Sequence, residues 1–217
     1  SLDLDYQNNL FIDFINYQKQ KNSVANLSLS FQKNNDEINI NKLIFKEKNN
    51  IIEIDNLILK DNKFFSFKTI KVKTPHNDFL IQNKKKILMK GSKFDATNLG
   101  KFLSNKGGDN RLNNLNSNIE IDFKNIKVPM SEKLENFKLI GKIKQGQFIK
   151  ISSKGDFGGN NYLDISMKKD KNTDRKYLEI YSDLTRPLLT EYKFFNGLSG
   201  GKLTFTSVMD KFSSNSK

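Results

Sequence analysis

The sequence predicts an all-β, mainly antiparallel fold. It reads as one long curved meander sheet, able to form an open groove, with two short helices packed on it. Three observations predict this. Apolar and polar residues alternate with period two in run after run, which places the apolar set on one face of a half-buried strand. Clusters of Asn, Asp and Gly separate the runs, and strand-like runs recur about every 10 to 14 residues, near the spacing of antiparallel all-β chains. The chain has 217 residues, 36% of them hydrophobic and 28% charged, enough apolar matter for a core.

Taken in order, Leu27, Leu29 and Phe31 alternate with Ser28 and Ser30, and Ile38 and Ile40 with Asn39 and Asn41. Ile52 and Ile54 alternate with Glu53 and Asp55. Ile119, Ile121 and Phe123 alternate with Glu120, Asp122 and Lys124, and Leu163, Ile165 and Met167 with Asp164, Ser166 and Lys168. Leu178 with Ile180, and Leu203 with Phe205, complete the set. Turn signals lie at 34–36, 60–62, 107–110, 158–161 and 170–172, because Asn, Asp and Gly tolerate turn conformations. The pattern predicts eleven to thirteen strands. Several of them change phase. Ile52 and Ile54 give way to Leu57 and Leu59, and Ile121 and Phe123 to Ile126 and Val128. A β-bulge absorbs such a slip and bends the strand.

Helical spacing occurs twice. Leu99, Phe102 and Leu103 stand at i, i+3, i+4 in the segment 97–103, with Asp95 or Thr97 as a cap. In the segment 183–193, Leu184, Leu188, Leu189 and Tyr192 share one side, and Pro187 requires the first turn there. Both segments belong to a repeated unit: a strand, an aspartate (Asp95 or Asp183), a threonine two residues on, a leucine-rich helix and a glycine pair. The chain therefore reads as a single elongated module over 1–217, with repeat-like units at about 86–130 and 135–207.

Composition excludes several classes of function. There is no cysteine and one histidine, His76. That removes disulfides, thiol nucleophiles, cysteine-ligated metals and multi-histidine sites. No apolar run approaches the ~20 residues of a transmembrane helix, and the start at Ser1 lacks a signal-like pattern. The net charge is +13, but only three of 37 basic residues are arginine: Arg111, Arg175 and Arg186. Phosphate and base readers favour arginine for its bidentate fork, whereas Lys, Asn, Ile and Phe all have A/T-rich codons. Nucleic acid is thus not the expected partner. The charge is concentrated at net +8 in residues 61–106.

No motif assembles a catalytic site. The pairs Asp3/Asp5, Glu53/Asp55 and Glu120/Asp122 lie on strand faces opposite apolar ones, unlike the convergent carboxylates of acid–base catalysis. His76 follows Pro75 in a turn-like segment. The stretch 196–203 misses the P-loop register, with Leu203 where Ser or Thr would hold magnesium. Phe64, Phe65 and Phe67 interleave with Lys63, Lys68, Lys71 and Lys73. That is a stacking surface for single strands or an amphipathic strand with its lysines outward. No cofactor and no metal is expected.

The C-terminal stretch carries a family resemblance. Leu178-Glu-Ile-Tyr-Ser-Asp183-Leu184, Leu188-Leu189, then Phe194-Phe195-Asn196-Gly197-Leu198-Ser199-Gly200-Gly201-Lys202-Leu203 resembles the AsmA-like superfamily of bacterial envelope proteins, in particular its large YhdP-like members. The segment 148–166 is similar to that family's successive strands, and 90–96 looks like a second instance. The match covers about 135–207, while 1–85 shares only strand periodicity. Leu184 stands where the family has a small residue. The family's N-terminal anchoring helix is absent, as in an internal fragment.

The resemblance implies a non-catalytic β-groove segment that shelters phospholipid acyl chains moving between inner and outer membrane, or that supports outer-membrane maintenance. It implies a periplasmic location, inner-membrane anchoring through a region outside this sequence, and neighbouring segments of a longer chain as partners. The expected lipid-facing residues are Ile119, Ile121, Phe123, Leu163, Ile165, Met167, Leu178, Ile180, Leu203 and Phe205. Lys84, Lys85 and Lys86 are the expected headgroup contacts. The same ten residues would equally fill an ordinary sandwich core. Two other readings stay open: a basic β-rich module binding a polyanion, and a structural domain pairing through its sheet edges.

Overall fold

The computed structural model describes residues 1–61, 63–99, 115–129, 132–170, 172–173, 175–189 and 200–209. Its order is β1 (Leu2–Tyr6), β2 (Leu10–Ile12), a one-turn 3-10 helix (Asp13–Ile15), β3 (Tyr17–Lys19), β4 (Ala25–Asn34), β5 (Glu37–Glu47), β6 (Asn50–Lys60), β7 (Lys63–Ser66) and β8 (Thr69–Lys73). Then follow β9 (Asp78–Asn83), β10 (Ile87–Asp95), β11 (Ser117–Lys127), β12 (Lys133–Lys144), β13 (Gln147–Asp156), β14 (Tyr162–Lys169), β15 (Lys176–Ser182), α1 (Arg186–Leu189) and β16 (Leu203–Met209). The fold is all-β as expected, and the described residues hold sixteen strands where the periodicity predicts eleven to thirteen. The short strands β2, β3 and β7 span only three or four residues, too few for alternation to show.

Fourteen strands form one curved sheet in the order β1-β4-β5-β6-β8-β9-β10-β11-β12-β13-β14-β15-β16, with β7 attached to β6. Among the described residues every pairing is antiparallel except β10 with β11, which is parallel. Among the described residues the meander therefore has one crossover, between Asp95 and Ser117. The predicted helix 97–103 falls at its start and lies outside the described residues after Leu99. The second predicted helix starts later than expected. It begins at Arg186, with Pro187 in the first turn, where its missing N–H is harmless.

The phase changes have a common geometry. Ile40 pairs with Leu57 and Lys42 with Asp55, so Asn41 and Asn56 face each other. Asn56 has φ 50°. Likewise Phe123 pairs with Phe137 and Asn125 with Glu135, leaving Lys124 opposite Asn136, which also has φ 50°. Asparagine tolerates this left-handed conformation better than most residues. Both partners reset phase together, so the apolar set stays on one face while the sheet bends.

The repeated unit is corrected in register. Asp95 is fully buried, and its carboxylate accepts the Thr97 N–H at 3.1 Å and the Thr97 hydroxyl. The residue in that role at the end of β15 is Ser182, also fully buried, whose hydroxyl accepts the Leu184 N–H at 3.2 Å. Asp183 is one position further. Its carboxylate accepts from the Tyr181 hydroxyl at 2.6 Å, the Tyr162 N–H at 2.8 Å and Lys202 at 2.9 Å. These bonds pull its pKa down to about 2 and tie β14, β15 and β16 together. The copies also differ in topology, since β11 returns parallel to β10 and β16 antiparallel to β15.

Candidate functional site

Cross-strand register lines up a row of side chains across the whole sheet. It runs Leu2, Leu29, Leu43, Ile54, Ile70, Ile81, Met89, Ile121, Leu139, Ser153, Ile165, Ile180, Phe205. Thirteen strands contribute and only Ser153 is polar. At the usual interstrand spacing the row is roughly 55–60 Å long. Most of its members are half-buried, and both ends are open, with Leu2 and Phe205 each 45% exposed.

The adjacent row toward one end of the strands is closed. Phe45, Ile52, Val72, Phe79 and Phe123 are each buried. The N-terminal segment β2–β3 packs on them as a plug. Tyr17 meets Phe45 edge-on at 6.1 Å and Phe14 meets Phe94 at 5.4 Å. Phe79, Phe94 and Phe123 contact one another at 5.3–5.8 Å. Leu99 and Leu188 join the same cluster, so the chain segments after β10 and β15 also sit at this end.

Two buried polar networks hold the plug. Lys19 is fully buried, and its ammonium donates to the carbonyls of Asn8 (3.0 Å), Gln20 (3.1 Å) and Ser23. Beside it Glu47 accepts from Tyr17, Ser23 and Asn50. Burial pushes the Glu47 carboxyl up. The hydrogen bonds from Ser23, Tyr17 and Asn50 and the charge of Lys19 outweigh it and hold the pKa below the usual range. Burial, then the Glu47 bond and charge, push the Tyr17 phenol well above its ordinary value. In the second network Asn77, 1% exposed, donates to the Ile15 carbonyl at 2.8 Å and accepts the Asp95 N–H at 2.9 Å. Asn16 donates to Asp95 at 3.2 Å, and Lys127 lies 3.5 Å from the same oxygen. These groups are cross-bonded anchors, with neither an exposed nucleophile nor an unpaired acid.

The opposite end of the sheet is the hairpin end. Here lie the β4–β5, β9–β10, β12–β13 and β14–β15 turns, with a basic rim that includes Lys33, Lys84, Lys85, Lys86, Lys144, Lys169 and Lys176. Two of the rim's carboxylates are engaged, Glu37 by Lys60 at 3.3 Å and Glu120 by Lys86.

The ten expected lipid-facing residues all fall on the apolar face. Ile121, Ile165, Ile180 and Phe205 stand in the long row. Ile119, Met167 and Leu178 stand in a second row with Ile87, Gly141 and Ile151, nearer the hairpin end. Leu163 and Leu203 flank Ser182 toward the plug end. Phe123, Leu163 and Met167 are buried, while the other seven are half-buried or exposed. Lys84, Lys85 and Lys86 form the exposed β9–β10 turn, with Lys86 committed to Glu120.

The rows of β4–β10, with Leu29, Leu43, Ile54, Ile70 and Ile81, lie outside the ten. Their alternation is visible in the sequence, but only the register shows that they continue the same surface. The plug leaves no such signal, because its segment mixes apolar residues with Asn, Gln and Lys in no regular period.

The other candidates disperse. Asp55 accepts from Thr69 at 2.8 Å, and Asp3 and Asp5 are exposed. Among the described residues no group of three His, Asp or Glu side chains is placed to hold a metal. His76 is exposed in the β8–β9 turn, at a cleft of about 450 Å³ shared with Lys93, Lys127 and Lys133. Phe65, 47% exposed, is covered by the chain's own Lys60 at 4.2 Å. Among the described residues no helix is long and apolar enough to cross a membrane. Comparison with protein-family models, curated proteins and solved structures finds no match to this chain.

Proposed function

We propose that this chain is a non-catalytic β-groove segment that shelters phospholipid acyl chains. It would act within a bacterial cell-envelope protein of the periplasm, in transport between inner and outer membrane or in outer-membrane maintenance. One observation carries the reading: twelve of thirteen positions in a sheet-wide row are apolar, and most stay half-exposed. An ordinary core buries such a row. A continuous apolar strip removes each acyl CH₂ from water for about 0.8 kcal/mol without specific polar contacts. The location and the envelope role rest on the AsmA-like resemblance of residues 135–207.

The test is native mass spectrometry of the gently purified chain. Bound phospholipid is expected. Ile165→Asp with Ile180→Asp places two carboxylates side by side in the row and is expected to abolish lipid occupancy while far-ultraviolet circular dichroism keeps the β signature. A wild-type protein that carries no lipid and takes none up would overturn the reading.

A second reading has its own observation. β1 and β16 end the sheet, each paired on one side only among the described residues. Such edges can pair with neighbouring segments of a longer chain. This mode is compatible with the groove, since stacked sheets would extend the same row.

A further inference from the structure

The two edge strands fit each other. Among the described residues, twelve pairings lead from β1 to β16, and one of them is parallel, so the direction reverses eleven times. β1 and β16 therefore point in opposite directions. A second copy set beside the first in the same orientation brings its β1 against β16 antiparallel. Neither strand contains a proline, and both pair with their inner neighbours without a bulge, so two of the devices that blunt a sheet edge are missing. The apolar rows then fix the register. The long row ends on Leu2 at one edge and on Phe205 at the other. The next row toward the plug ends on Leu4 and on Leu203. An antiparallel joint that sets Phe205 opposite Leu2 also sets Leu203 opposite Leu4, so one register continues both rows.

That register decides the outer face, which played no part in choosing it. Thr204 comes opposite Asp3, and Lys202 opposite Asp5. All four are exposed. The sheet contains both kinds of direct cross-strand pair: Thr69 donates to Asp55 at 2.8 Å, and Lys60 lies 3.3 Å from Glu37. Lys202 serves Asp183 at 2.9 Å and the Tyr181 hydroxyl at 3.5 Å. Its ammonium has three donors, and its side chain stays 72% exposed, so Asp5 adds an acceptor from the other side. A two-fold joint of β1 with β1, centred on Leu4, would instead set Asp3 against Asp5, and like charges directly opposite repel.

We propose that a second copy of this chain adds its β1 to β16, head to tail, with Leu2 opposite Phe205 and Asp5 opposite Lys202. This rests on the edge-pairing reading above and names its partner and register. The contact is heterologous, so every addition leaves a fresh β1 and β16 at the two ends. Each copy lengthens the apolar row by roughly 60 Å.

The experiment is sedimentation velocity of the full chain over a wide range of concentration. The mean sedimentation coefficient is expected to keep rising beyond that of a dimer, as open-ended addition requires. Asp5→Lys sets two lysines opposite each other and should raise the concentration needed for association about tenfold. Lys202→Glu should do the same. Thr204→Glu, which faces Asp3 in the joint, repeats the test without touching the Asp183 bond. Far-ultraviolet circular dichroism checks that each variant is folded. An equimolar mixture of Asp5→Lys and Lys202→Glu is expected to associate at wild-type concentrations, because every β1 then meets a β16 of opposite charge. Association that stops at a dimer, or that mixing does not restore, would overturn the head-to-tail register. Association that survives all three substitutions would place the contact away from both edges and overturn it too. A wild type that stays monomeric throughout would overturn self-association and leave standing the pairing with other segments of a longer chain, which present other side chains.

Discussion

Gly91→Val is expected to lower stability by about 3 kcal/mol or more, read as a shift of the urea midpoint at constant m-value. Gly91 sits at the centre of the sheet, between Phe79 on β9 and Phe123 on β11. A Cβ at this position would lie 2.3 Å from the Asp78 carbonyl oxygen, 2.4 Å from the Phe79 Cβ and 2.8 Å from its Cα. Two of those three atoms are backbone, so no rotamer change relieves the contact. The strand also shifts register immediately afterwards, between Gly91 and Lys93. The missing side chain lets Phe79 and Phe123 meet edge-on at 5.8 Å over the glycine. Gly91→Ala should already show most of the loss. By contrast Gly158 has open space around its Cβ position, so steric overlap plays no part there. A Gly91→Val protein that unfolds at the wild-type midpoint would show that the sheet relaxes locally at no cost.

Asp95→Asn is expected to cost about 2–4 kcal/mol at neutral pH, because it breaks charge-assisted bonds inside a buried network. The carboxylate accepts from Thr97 and Asn16 and faces Lys127. An amide would turn a donor toward Asn16 or Thr97 and leave Lys127 without this counter-charge. The pH dependence has a defined sign. Burial raises the Asp95 pKa, but the bonds from Thr97 and Asn16 and the charge of Lys127 outweigh it, and the net shift is downward. A carboxyl depressed in the folded state contributes stability above its unfolded pKa, about 4, and loses it as pH falls toward the folded value. Glu47 is depressed by its own network and acts in the same direction. Wild-type stability should therefore be flat in this component above about pH 5 and decline below about pH 4. The gap between wild type and Asp95→Asn should narrow over the same interval. A gap that widens with acid, in urea melts across roughly pH 2.5–7, would contradict this account.

Legibility in the sequence follows the range of the interaction. Strand faces are local, because alternation needs no partner strand. Leu163, Ile165 and Met167, or Ile119, Ile121 and Phe123, therefore reveal their face within a few residues. The phase slips at 54–57 and 123–126 are equally visible, because a reset of period two is itself local. The asparagine behind the second slip is not, since Asn136 acts on β11 from β12. The repeat is legible as composition but not in register. Ser182 and Asp95 share a role only because each is buried at the end of its strand. The parallel step between β10 and β11 leaves no local mark at all.

The sequence by itself determined the all-β class, the face to which each long strand turns its apolar residues, the absence of thiol and multi-histidine chemistry, and the lysine-dominated charge. These depend on residue type and on period two. Only the tertiary structure decided that thirteen strands align their apolar residues into one row. It alone showed that residues 10–19 fold back to plug one end. Those are facts of register and long-range packing. Leu2 meets Leu29 and Asn77 meets Ile15 across 27 and 62 residues of chain, distances at which no local pattern fixes which strand lies beside which.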